Sequence, residues 1–104
     1  MAYVVYSTQL LQLHGASAGG FSVPVGFRCV VRDADCFYPG GAGQSAQLEG
    51  PAGGIFAYFP FSAAIDGVLV SWRGRQVFDP GDTIAFAATS DMDIMVSGYL
   101  LSLP

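Results

Sequence analysis

The chain has 104 residues, 52% of them hydrophobic and only 12% charged, and its four basic and eight acidic side chains leave a net charge of -4. That length makes one domain with a core of its own and no room for a second, residues 1–104 in all. Four arginines without a lysine argue against a nucleic-acid surface, which needs a concentrated basic face, and no stretch approaches the roughly eighteen apolar residues of a membrane-spanning helix.

The N-terminus, Met1-Ala2-Tyr3-Val4-Val5-Tyr6, has no basic region ahead of its apolar residues, so it does not read as a signal peptide and synthesis in a cytoplasm is expected. Val4 to Leu13 alternates until Leu10-Leu11 breaks the parity, which predicts one strand with a bulge near its end. His14 to Gly20 is rich in small residues and reads as a loop, followed by a short extended piece, Phe21-Ser22-Val23, that stops at Pro24. Phe27 to Tyr38 is the second long strand. Its polarity changes sides half-way, and a bulge near Arg32-Asp33 would put arginines and carboxylates on the wet face of both halves.

Pro39 to Gln44 is a glycine loop with no lysine and no helix after it, so its glycines are turn formers. Ser45 to Glu49 is a short strand, Gly50 to Gly54 a turn, and Ile55 to Phe61 an aromatic run that Pro60 consigns to a sheet edge. Asp66-Gly67 between Ile65 and Val68 has the residues of a two-residue hairpin turn. From Val68 the chain reads as a strand that breaks at Arg73-Gly74-Arg75, resumes through Phe78, turns at Asp79-Pro80-Gly81-Asp82 and re-enters at Thr83-Ile84-Ala85-Phe86. Proline followed by glycine suits a type II turn, which twists the wrong way for a tight hairpin and predicts a wider corner. Ala87 to Asp91 leads into a closing strand, Met92 to Leu103, with Ile94, Val96, Gly98 and Leu100 on one side. The expectation is an all-β fold, an antiparallel β-sandwich of jelly-roll-like form with about eight short strands.

Nothing in this pattern assigns a catalytic, cofactor-binding or metal-binding residue, and no enzyme activity or cofactor is expected. The one histidine, His14, sits in a loop away from any serine motif. Asp33/Asp35 and Asp91/Asp93 each place two carboxylates on one face of a strand, a start on a calcium site or a glycosidase pair if further oxygens converge; solvated strand faces are the plainer account. Cys29 and Cys36 on one straight strand would face opposite sides about 23 Å apart, too far for a disulfide, so buried free thiols are expected. Trp72 beside Arg73 and Arg75 reads as arginines lying over an aromatic rather than as a base-stacking site.

A domain of this mass should expose on the order of 5,600 Å², and its 12% of charged residues is about half the usual fraction. Partner subunits are therefore expected to cover part of the surface. Strands Ile55–Phe61 and Met92–Leu103 are apolar on both parities, so the expected contact residues are Ile55, Tyr58, Phe59, Phe61, Trp72, Met95, Tyr99 and Leu101.

Five segments together resemble small virion proteins of tailed bacteriophages that infect actinobacteria: Val23-Pro24-Val25-Gly26-Phe27, Val30-Val31-Arg32-Asp33, Trp72 to Val77, Asp79 to Ile84, and Val96 to Leu101. Head-decoration or minor tail proteins of this kind have jelly-roll-like folds and assemble as symmetric oligomers. The resemblance implies a non-enzymatic structural protein of the virion, made in the host cytoplasm. Its implied partners are itself, as a homotrimer, and capsid or tail proteins, with neither nucleic acid nor membrane bound. A carbohydrate-binding β-sandwich that stacks sugars on Tyr58, Phe59 and Trp72 is the alternative.

Overall fold

The computed structural model describes residues 8–40, 43–61 and 67–103. Within them the chain forms six strands: β1 (Thr8–Ser22), β2 (Phe27–Tyr38), β3 (Gln44–Glu49), β4 (Ile55–Phe61), β5 (Val68–Phe78) and β6 (Thr83–Ser102). All pair antiparallel in a single sheet of order β4-β3-β6-β2-β5, with β1 on the remaining side of β6. The fold class is therefore all-β, as expected.

One long strand organises the sheet. The first part of β6 pairs Ala85–Ala88 with β3, and its last part pairs Asp93–Ser102 with β2. β1 runs along the other edge of β6 over its whole length, from Thr8 opposite Gly98 to Ser22 opposite Thr83. The sheet folds over between these two parts, so that β1 and β6 contribute an arm to each of two facing layers. One layer holds β4, β3 and the first arm of β6; the other holds β5, β2 and the second arm. The inner faces share one core, with Leu48, Phe59, Ile84 and Phe86 from the first layer against Val31, Cys36, Ile94 and Val96 from the second.

Six strands in place of eight short ones reflects two segments that sequence reading assigned to loops. His14 to Gly20 continues β1, and Ala87 to Asp91 continues β6. Both lie at the fold-over, where the β1–β6 register slips between Leu13 and Ala16 and again between Ala16 and Ala18. Small residues let the two strands bend here, with Gly15 taking a positive φ of 62°. Thr89 ties the bend to β3, accepting from Ser45 N at 2.9 Å and donating to Gln44 Oε1 at 2.7 Å. Arg73-Gly74-Arg75 likewise does not break β5: two extra residues face Arg32 of β2 across a bulge, and Arg32 Nε donates to Gly74 O at 3.1 Å.

That bulge is the one predicted near Arg32-Asp33, and it reverses the inward parity of β2 from Cys29 and Val31 to Ala34 and Cys36. Both cysteines therefore face the same core as buried free thiols, not opposite sides of the strand. Burial pushes the Cys29 thiol up to about 11 and the Cys36 thiol, with the nearby Asp93 charge adding to it, up to about 12. Neither is a nucleophile at neutral pH.

The two layers are joined at their open end by two corners of one design. Asp82 N donates to Asp79 O at 3.0 Å with Gly81 at φ 85°, and Phe27 N donates to Pro24 O at 3.2 Å with Gly26 at φ 88°. Both are type II turns, and their shared demand for glycine at the third position makes Val23-Pro24-Val25-Gly26 resemble Phe78-Asp79-Pro80-Gly81 in sequence. β5 and β6 are not ladder neighbours, so the first turn is the wide corner its chemistry predicts. The expected Asp66-Gly67 hairpin lies mostly outside the described residues; Gly67 has the positive φ it requires, 76°. Pro60 sits on β4, an edge strand, as expected.

Candidate functional site

A groove of about 390 Å³ lies on the outer face of the second layer. Three strands build it in two cross-strand rows. Met95, Asp35 and Ser71 form one, and Asp93, Phe37 and Leu69 the next, as the registers of β6, β2 and β5 dictate. Because outward side chains alternate along each strand, the rows stack polar against apolar. Phe37, Leu69 and Met95 supply the apolar surface, and Asp35, Ser71, Arg73 and Asp93 the polar rim.

The rim is internally bonded. Arg73 bridges both carboxylates of β2, with Nε 3.3 Å from Asp33 Oδ1 and Nη1 3.1 Å from Asp35 Oδ1. Ser71 donates to Asp35 at 2.6 Å. That hydrogen bond is the main reason the Asp35 carboxyl titrates below its ordinary range; partial burial opposes it, and Arg73 adds to it. Asp93 accepts from Gly15 N at 2.8 Å and lies 2.9 Å from His14 Nδ1 across the β1 edge. Each carboxylate is thus committed to a neighbouring strand.

For the chemistry raised by the paired carboxylates, this arrangement matters in two ways. Asp33 and Asp35 do share a face, but an arginine occupies the position where a cation would sit. Asp35, held ionised, is a poor proton donor at neutral pH. Among the described residues no three His, Cys, Asp or Glu side chains converge as metal ligands.

The eight expected contact residues do not form one patch. Ile55 and Tyr58 project from β4 on the first layer and Met95 from β6 on the second, all exposed. Trp72, Tyr99 and Leu101 are half-buried, with the Trp72 ring edge-on to Phe56 at 5.6 Å. Phe59 and Phe61 are corrections: both point inward and are 0% and 2% exposed, so they belong to the core of the chain itself. In a strand alternating Ala57, Phe59, Phe61 inward, only the opposite parity remains for a partner. The sugar platform of Tyr58, Phe59 and Trp72 is lost with Phe59. Sequence reading passed over Leu69 and Val77, exposed on β5 at 59% and 44%. Both share the outward, odd-numbered parity of β5 with Ser71 and Arg73, so the alternation against inward Val70 and Phe78 was the signal for them.

Among the described residues the fold and surface thus define an antiparallel β-sandwich with a mixed groove on the second layer and scattered apolar side chains on both outer faces. Comparison with family models, with curated proteins and with solved structures finds no match for this chain.

Proposed function

We propose that this protein is a non-enzymatic structural subunit of a tailed-bacteriophage particle, a capsid decoration protein that binds the head surface as a symmetric homo-oligomer, or else a minor tail component. The observation that carries the assembly half of this reading is the outer surface. With its core already filled, the domain still presents Ile55, Tyr58 and Leu69 at 55–59% exposure, on a chain with only 12% charged residues to keep it apart from its neighbours. Burial against other subunits removes that surface from water at roughly 25 cal/mol per Å². The phage half rests on the resemblance of the five segments, two of which are the paired corners at the open end of the sandwich.

Light scattering on the purified chain tests assembly, and incubation with particles lacking the protein tests attachment. The reading predicts a multimer mass and saturable uptake of the chain by the particles. A clean monomer that no particle retains refutes it.

A further inference from the structure

Among the described residues the sandwich leaves one short sheet edge, the last five residues of β1, without the usual protection. Sheet edges carry unpaired backbone donors and acceptors, and proteins guard them with charge, proline, bulges or a covering segment. β5 has exposed Arg73 and Arg75, and β4 has Pro60. β4 also lies against β5, its Phe56 packing on Trp72 and Phe78. The beginning of β1 carries His14 and three register slips. The last arm of β1, Ala18-Gly19-Gly20-Phe21-Ser22, has no ionisable group, no proline and an unbroken register with β6, and among the described residues it pairs with nothing else.

The direction of its free groups follows from the corner. Val23 N donates to Asp82 O at 2.8 Å and Val23 O accepts from Gly81 N at 2.9 Å, so Val23 faces the β6 side. Along an antiparallel strand that direction alternates. Phe21 and Gly19 therefore bond to β6, while Ser22, Gly20 and Ala18 aim both N–H and C=O away from the sheet. These three are exposed, whereas Phe21 is half-buried against the core.

We propose that this arm is a docking edge for a second copy of the same chain. The inference rests on the reading above that the chain self-associates, and adds to it an edge contact distinct from the faces that carry Ile55, Tyr58 and Leu69. Two copies related by a two-fold axis at Gly20 pair antiparallel, with Gly20 opposite Gly20 and Ala18 opposite Ser22. Each of these pairs exchanges two backbone hydrogen bonds, and small residues meet at every step. A foreign strand would have to bring its own complementary edge, whereas the copy has it by symmetry. The first layers then fuse into one continuous sheet whose outer face beside the junction carries Ala85 and Ala87. An isologous contact of this kind closes at two, so it yields a dimer, in place of the trimer that the resemblance implies.

The test uses the full chain in sedimentation velocity over a dilution series, with Ala18→Pro and Ala18→Lys beside the wild type. Proline at 18 deletes only an outward N–H and leaves the β1–β6 ladder intact; lysine adds charge to the edge. A wild-type dimer whose dissociation constant rises about tenfold or more in either folded variant is the expected result. Hydrogen exchange on the wild type reads the same contact without a substitution. The amides of Ala18, Gly20 and Ser22 should be protected in the dimer and open on dilution, while those of Gly19 and Phe21 stay protected throughout. A wild-type oligomer in which those three amides exchange freely overturns the edge contact and leaves self-association standing. A wild type that is monomeric at every concentration overturns both.

Discussion

Replacing Gly98 with alanine should damage this domain, although the same change in an open strand usually helps. Gly98 is buried on β6, the strand shared by both layers, between Thr8 of β1 and Val31 of β2. A Cβ built there overlaps the carbonyl oxygen of Val30 and lies 3.0 Å from both Val30 C and Val31 Cα. All three obstacles are backbone atoms of a central strand, held beside the bulge at Val31/Asp33, so they cannot rotate away as a side chain would. β2 has to move off β6. Overpacking of this sort costs about 1–3 kcal/mol, which outweighs the 0.4–1 kcal/mol gained by restricting the unfolded chain. A net loss of about 1–2 kcal/mol would lower the melting temperature by roughly 4–16 °C in a domain of about 100 residues. Differential scanning calorimetry of Gly98→Ala beside Gly54→Ala measures it directly. Gly54 has φ -69° and open space around its missing Cβ, so alanine there should be neutral or slightly stabilising. Gly98→Ala melting at or above the wild-type temperature would refute the close approach of β2 and β6.

Three further outcomes are expected. Phe86→Ala, which empties a position 2% exposed between the layers, should cost about 3–5 kcal/mol in urea unfolding, and undiminished stability would remove Phe86 from the core. Gly67→Val should cost about 1 kcal/mol or more in the same assay, because Gly67 holds a positive φ of 76° that a β-branched residue fits poorly. The third concerns acid. The Asp35 carboxyl is depressed in the folded state from an ordinary value of 3.8, so its contribution to stability is full above that value and is lost as the pH falls toward the folded one. Ser71→Ala removes the main cause and should flatten the fall of stability below about pH 4, with little change at pH 7 in its slope; an acid limb identical to wild type would show that Ser71 does not hold this carboxylate.

Local chemistry by itself determined the strands with clean alternation and the turns with fixed backbone demands. Phe27–Tyr38 and its bulge, the Asp79 to Asp82 corner and the grouping of Ile94, Val96 and Gly98 on one side of a strand were legible because side-chain period and positive φ are properties of a few neighbouring residues. The continuity of β1 through His14-Gly15-Ala16 and of β6 through Thr89-Ser90-Asp91 was not, because each segment is held by the ladder on either side of it, Leu13 with Ile94 and Ala18 with Ala87, and by Asp93 and Thr89 reaching across distant strands. The groove was beyond sequence for the same reason. Asp35 and Phe37 are legible as outward residues of one strand, but Ser71, Arg73 and Met95 join them only through the β5-β2-β6 register. Phe59 and Phe61 show the limit most sharply: a strand apolar on both parities does not say which face is core, and that was decided by which side of β4 the second layer folds onto.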